Sequence, residues 1–493
     1  MPGVLLNMVG HSSSTLRLSL AIVLALLLAL SAGGGRPAQA ATINVNTADD
    51  ELNTDGDCSL REAIRSANLD TAVDACNAGS GPDTINLPAG TYTLSIAGAG
   101  ENAAATGDLD ITDDLTISGA GQASTIIDGG ALDRVLHIST NVTVGVSDVT
   151  IRNGDVTGSG GGILKDANTT LALTNVTVSS NTASGDGGGI MNNASGGLTV
   201  TDSTISGNTA GGDGGGIDSR GSATLSVTNS TISGNVAVGD GGGINYSAGG
   251  TMSVTNSTIS GNSASDGGGI KNGAGGTISV TSSTISGNSA GTGGDIHRAS
   301  GSGSVTLKNT IVANTTGGDC AGEPLTSSGN NLERFTSCGF TGLGDLQNTD
   351  PLLGALADNG GLTQTHALLA GSPAIDTPDN SACPATDQRG VARPVDGDGD
   401  ATAVCDIGAY EFEPPPPATP TPTPIPTATP TPTSTTPPAP SDLPQGGGEP
   451  PASEERPDAR SRPRSGRGHD ADCRYRRPQT PSRTIDLSQP QFL

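Results

Sequence analysis

Residues 187–208 read GGGIMNNASGGLTVTDSTISGN, and this pattern recurs down the chain. Gly-Gly-Gly-Ile ends at Ile163, Ile190, Ile217, Ile244 and Ile270, with Gly-Gly-Asp-Ile at Ile296, in steps of 27, 27, 27, 26 and 26. Thr-Ile-Ser-Gly-Asn places Ile205, Ile232, Ile259 and Ile285 on the same period, flanked by Val178 and Ile311. Between the two motifs lies an alternating apolar pair: Leu198/Val200, Leu225/Val227, Met252/Val254 and Ile278/Val280. Each unit offers three short period-two segments and no helical period. It cannot bury its apolar side alone and must stack on copies of itself. The pattern predicts an all-β, right-handed parallel β-helix, a pectate-lyase-like solenoid whose turns lie about 4.8 Å apart.

Composition agrees with this reading. Of 75 glycines in 493 residues, 36 fall in residues 151–300, and no proline lies between Pro88 and Pro324. Proline would remove a donor from every ladder it entered. Aromatic residues make up 2% of the chain, as a thin aliphatic lumen requires. The Leu-x-x-Leu-x-Leu pattern of leucine-rich repeats is missing, and a β-sandwich would not keep one register through six copies.

Outward from the repeats, residues 1–40 read as a secretory signal, with an apolar run at Leu18–Ala32 and a small-residue cleavage pattern at Ala38-Gln39-Ala40. No later stretch is apolar enough to span a membrane. In an exported chain the spacing pairs Cys58 with Cys76, Cys320 with Cys338 and Cys383 with Cys405, leaving Cys473. Residues 41–440 carry 12 Lys and Arg against 41 Asp and Glu, a net charge of −29, which excludes nucleic acid as a partner. The domain plan is a signal (1–40), an N-terminal cap (41–110), the repeats (111–318), a C-terminal cap (319–412), a Pro/Thr stalk (413–450) and an Arg-rich disordered tail (451–493).

Two ladders of polar residues result from the stacking. Asn181, Asn208, Asn235, Asn262 and Asn288 occupy one turn position, where amides bond from coil to coil, a structural role. Asp186, Asp213, Asp240 and Asp266 stack just before the glycines. Like charges at strand spacing repel, so they splay into water, take up protons or share cations such as Ca²⁺. Asp396, Asp398 and Asp400 alternate as in the first half of a calcium loop, but Ile407 stands where an EF-hand needs its bidentate Glu. Asp406 is the residue left to complete a Ca²⁺ cage there. No other cofactor is indicated.

At the head of the chain, Ser59-Leu60-Arg61-Glu62 forms a capping box that opens a short helix. Cys58-Ser59-Leu60-Arg61-Glu62-Ala63 resembles the signature of the CSLREA N-terminal domain of exported bacterial β-helix proteins. The Gly-Gly-Gly-Ile and Ile-Ser-Gly-Asn motifs are similar to polymorphic outer-membrane protein repeats, with Ile205 in place of Phe three residues before Asn208. Asp358-Asn359-Gly360-Gly361, Gly371-Ser372-Pro373-Ala374-Ile375-Asp376 and Cys405-Asp406-Ile407-Gly408-Ala409-Tyr410-Glu411 resemble a choice-of-anchor domain. These resemblances imply a secreted or cell-surface bacterial protein with no single family reaction.

Two functions compete. The first is a non-catalytic, adhesin-like or structural rod with a repetitive acidic surface, meeting an extracellular glycan or cell-wall component. The alternative is a polysaccharide lyase or glycoside hydrolase of the β-helix type. Against catalysis, Arg152, Lys165, Arg220, Lys271, Arg298 and Lys308 sit at scattered repeat positions, and Tyr246 is the only aromatic residue in 151–300. His137, His297 and His366 lack repeating partners, and Asp133-Arg134 is the one acid–base neighbour pair of note. No catalytic residue is assigned.

Overall fold

The structure, a computed structural model, describes residues 40–414 apart from 314, 316, 317, 379, 381 and 382. The signal segment, the stalk beyond residue 414, the Arg-rich tail and Cys473 lie outside the described residues. Within them the chain winds as a right-handed parallel β-helix. Sheet 1 has eleven strands, from Thr42–Asn44 to Thr326–Ser327. Sheet 2 has ten, from Gly90–Thr93 to Leu332–Glu333, and sheet 3 has nine, from Leu109–Ile111 to Cys320–Gly322.

The expected ladders form in register. Ile190, Ile217, Ile244 and Ile270 stack in sheet 3. Leu198, Leu225, Met252 and Ile278 stack in sheet 1, and Ile205, Ile232, Ile259 and Ile285 in sheet 2. All are buried, and each such side chain contributes about 1.5–3 kcal/mol on leaving water.

Two features depart from the expectation. Each repeat makes four strands, not three. Sheet 4 collects six short strands, from Asp155–Val156 to Ser289–Thr292, just after the ladder Asn. Its inward residue is Ala183, Ala210 or Ala237, too small to register as part of an apolar pattern. The step from 27 to 26 also falls here, because Ser263–Asp266 lacks a counterpart of Gly239. The glycine triplet is a steric demand at the adjoining corner. A Cβ on Gly243 would lie 2.6 Å from the Gly269 carbonyl of the next turn.

The second departure concerns the ends. The helix Leu60–Leu69 carries the capping box, with Ser59 accepting from the Glu62 N–H and Glu62 accepting from the Ser59 N–H. Its buried Leu60, Ala63, Ile64 and Ala67 close the first turns. Thr42–Asn44 and Asp83–Leu87 are themselves strands of sheet 1, so the head of the chain is partly coil. At the other end, residues 320–333 make a last turn. The chain beyond that turn covers a flank of the coil and is not a simple cap. Gln388 bonds to Ser230, Thr231 and Thr258, Thr363 to Asn229, and the Ala409 N–H to Thr284, all along sheet 2. Three disulfides join the expected partners: Cys58–Cys76, Cys320–Cys338 and Cys383–Cys405.

Candidate functional site

Each sheet turns one face outward, and the three long sheets differ in what covers that face. On sheet 1 the outward columns are Thr143-Thr170-Gly197-Thr224-Thr251-Thr277, Gly145-Ala172-Thr199-Ser226-Ser253-Ser279-Thr306 and Ser147-Thr174-Thr201-Thr228-Thr255-Thr281. None is buried and none carries charge, although the third column goes on to Lys308, paired with Thr281. The result is an open grid of hydroxyls and methyls, at strand spacing in one direction and two residues in the other. Sheet 2 is covered over residues 229–284 by the C-terminal segment, where His366 Nε2 also lies 2.8 Å from the Ser260 hydroxyl.

Sheet 3 carries the charge. The column after each ladder isoleucine runs Asp110, His137, Leu164, Met191, Asp218, Asn245, Lys271, His297. The Asp ladder flanks it, bound by protein groups. The Asp213 and Asp240 N–H groups donate to the preceding Asp carboxylate, at 2.9 and 2.8 Å. Arg220 reaches Asp186 at 2.8 Å and Asp213 at 3.5 Å, and also holds Asp218 at 2.6 Å. Lys271 bridges Asp240 and Asp266 at 3.2 and 3.1 Å, and Thr292 donates to Asp266. Burial alone would raise the Asp266 carboxyl, but bonds from Thr292 and Lys271 outweigh it and the net shift is downward. Two of the six basic residues that looked scattered therefore converge, because long side chains from different turns meet over one ladder. His297 is likewise not isolated, since its Nδ1 lies 2.9 Å from Lys271 Nζ.

At the N-terminal end of sheet 3 a cleft of about 420 Å³ is lined by Glu101, Asp108, Asp133, Arg134, His137 and Leu164, among others. Arg134 pairs with Asp108 at 2.6 Å, and the Asp133 carboxylate accepts the Arg134 backbone N–H. Burial pushes the Asp108 carboxyl up to about 6 in spite of that cation. His137 sits between Asp110, 2.9 Å from Nδ1, and Asp166, 3.2 Å from Nε2. Burial alone lowers its pKa, but the two carboxylate bonds outweigh it and the net shift is upward. Sequence reasoning had no route to Asp108, Asp110 and Asp166, because they lie outside the repeat motifs and meet only through the register.

The other expected residues divide between ladder, acidic loop and core. The five Asn residues form one chain, each Nδ2 donating to the next Oδ1 at 2.9–3.0 Å. Asp396 and Asp398 gather with Asp376, their ligand atoms within 4.8 Å of one another. Asp400 is turned to the Thr402 N–H instead. Asp406 is buried and accepts from Asp376 and Phe412 N–H groups; burial, then Glu411, pushes it up to about 7. Tyr246, the one aromatic of the repeats, is wholly buried with its hydroxyl on the Ala223 carbonyl, so it offers no platform to a sugar.

Residues 202–220 match the model of the Chlamydia polymorphic membrane protein repeat. Among solved structures, the crystal structure of pectate lyase Pel9A is similar, with a TM-score of 0.43 and 12% identity, covering 77% of this chain and 98% of that one. No curated protein matches the chain. No helix among the described residues is long and apolar enough to cross a membrane.

Proposed function

We propose that the chain is a secreted or cell-surface, non-catalytic β-helix protein, adhesin-like, which meets an extracellular glycan or cell-wall component with the outer face of sheet 1. The observation that carries this reading is the uncharged Ser/Thr grid, open over six turns of a chain whose net charge is −26. On the acidic side, the ladder is already engaged by Arg220 and Lys271, which moves the contact surface from the acidic face to the hydroxyl face. Three disulfides suit an oxidising compartment. The signal at 1–40, the CSLREA-like head, the anchor-like segment at 319–412 and the stalk are consistent with export and surface display.

The test is binding of the purified chain to a glycan array and to whole cells. Ser226→Arg with Ser253→Arg should abolish binding by placing two charges on the grid. Consistent failure of the unaltered chain on both supports would leave only a structural role.

A second reading, hydrolysis of a polysaccharide in the Asp108 cleft, is favoured by one observation, the carboxyl held near 6 at the cleft wall. Product assays on acidic and neutral polysaccharides decide it, and turnover lost in Asp108→Asn would displace the adhesin reading.

A further inference from the structure

The third glycine of the repeat, which leads into sheet 3, gives way to acid at the C-terminal end of the coil. Gly216, Gly243 and Gly269 are followed in that column by Asp295 and then by Asp319. Register holds across the change: the Asp295 and Ile296 N–H groups both donate to the Asp319 carbonyl, at 3.0 and 2.9 Å. A third acid, Glu333, stands in the last strand of sheet 2, paired with Val312. All three residues are fully buried.

Each carboxyl has one oxygen engaged and one without a partner. Asp295 Oδ1 accepts from Asn288 Nδ2 at 2.7 Å, Asp319 Oδ1 from the Thr315 hydroxyl at 2.6 Å, and Glu333 Oε2 from the Cys338 N–H at 2.8 Å. Asp295 Oδ2, Asp319 Oδ2 and Glu333 Oε1 are shielded from solvent and accept no hydrogen bond. Among the described residues none of the three takes part in an ion pair. The surrounding charges are engaged elsewhere. Arg334, whose charge acts on Asp319, pairs with Asp350 at 2.6 Å. His297 and Lys271 turn to Asp266 and to each other. Arg298 donates to the Gly303 and Pro324 carbonyls, and Asp345 accepts from the Asn331 and Gly342 N–H groups.

An ionised carboxylate with a buried, unpartnered oxygen is costly, whereas a protonated carboxyl is neutral and brings a donor of its own. A shared cation is the other remedy, but among the described residues the sets of three ligand atoms close enough to hold one lie elsewhere. Burial pushes all three carboxyls upward against the bonds they accept, and the Asp319 charge pushes Asp295 and Glu333 further in the same direction.

We propose that the C-terminal end of the coil is a pH-sensitive latch: Asp295, Asp319 and Glu333 hold protons while the last turn, residues 320–333, is closed, and the turn opens as they lose them. The closed turn binds protons that the open turn releases. Its advantage is whole below the ordinary carboxyl range and is lost as pH rises through the raised native values. Once ionised, the three acids repel one another across adjoining turns. Nothing in this depends on what sheet 1 binds.

The test is hydrogen exchange read by mass spectrometry on the full chain carrying Asp406→Asn, which removes the strongly shifted carboxyl of the flanking segment. Corrected for intrinsic exchange, protection of residues 320–333 should fall by at least about tenfold between about pH 5 and about pH 8, while residues 198–260 keep theirs. Adding Asp319→Asn should remove most of that fall, because the amide N–H takes the place of the proton. Glu333→Gln gives the same readout if Asp319→Asn does not fold, as judged by circular dichroism. Equal protection at both pH values, an equal fall in residues 198–260, or a fall that survives in every variant that folds would overturn the latch.

Discussion

Between Leu171 and Leu307, nearly every inward side chain sits above a like side chain of the next turn; among the described residues between Thr363 and Ala409, no contact recurs. The coil satisfies its polar groups by repetition, as when Asn235 gives to Ile205 and Asn262 and receives from Asn208 twice. The flanking segment relies on single residues. Gln388 alone reaches Ser230, Thr231, Thr258, Thr363 and Gln364. A repeated solution is visible in sequence as a period, and a unique one has no period to show. The first is also cooperative across turns, and the second is local.

The largest test of this contrast is Asn235→Ala. It strands the Asn208 N–H in a buried turn and takes one bond each from the Ile205 carbonyl and the Asn208 and Asn262 amides, so chemical denaturation should show a loss of at least about 3 kcal/mol. A loss below about 1 kcal/mol would mean that the ladder is redundant and the two regions are alike.

The next effect is a pH slope arising in the flanking segment. Asp406 has a native pKa of about 7, against about 3.9 unfolded. Between these values the native state holds a proton that the unfolded state has released, so stability falls as pH rises from about 4 to about 7. Between pH 5 and pH 7.5 Asp406 alone should contribute roughly 2 kcal/mol in favour of pH 5, and Asp406→Asn should reduce the difference measured by denaturation by about that amount. Asp108 and Asp218, both pushed by burial to about 6, act in the same direction over a narrower window.

Gln388→Ala should cost about 1.5 kcal/mol and, more tellingly, make residues 353–412 sensitive to limited proteolysis while the coil stays resistant. Coil and flank lost together would show one cooperative unit. The smallest effect belongs to Arg220→Ala. Its side chain is 38% exposed, so its pairs with Asp186 and Asp213 are worth about 0.5 kcal/mol and shrink as salt is added, while the buried Asp218 it leaves behind takes up a proton.

The repeat made the fold legible: the glycine triplet, the paired aliphatics and the Asn ladder sit where periodicity put them. Sheet 4 was not, because Ala183 and its equivalents are too small to mark an apolar face. Nor was the engagement of the Asp ladder, since Arg220 and Lys271 reach it from different turns. The cleft at Asp108 and His137 depends on Asp110, His137 and Leu164 standing in one column, which only the register of the early, irregular turns reveals. The helix cap and the disulfides were readable because each depends on a few residues close in sequence.

The Asn ladder also has a sense. Each Nδ2 gives one hydrogen back to a carbonyl of the preceding turn and the other forward to the next Asn Oδ1, so the Asn-to-Asn bonds all run one way along the rod. The two ends are chemically distinct: Asn181 receives from the Gly154 N–H, and Asn288 gives to Asp295 at 2.7 Å. A carboxyl accepts that last donor without needing to pass one on, so Asp295 acts as a terminator, occupying the place held by the third glycine in earlier turns. Such a rod lengthens from within. A 27-residue unit duplicated between Asn208 and Asn235 would find its donor and acceptor waiting, whereas one added past Asn288 would meet a stop.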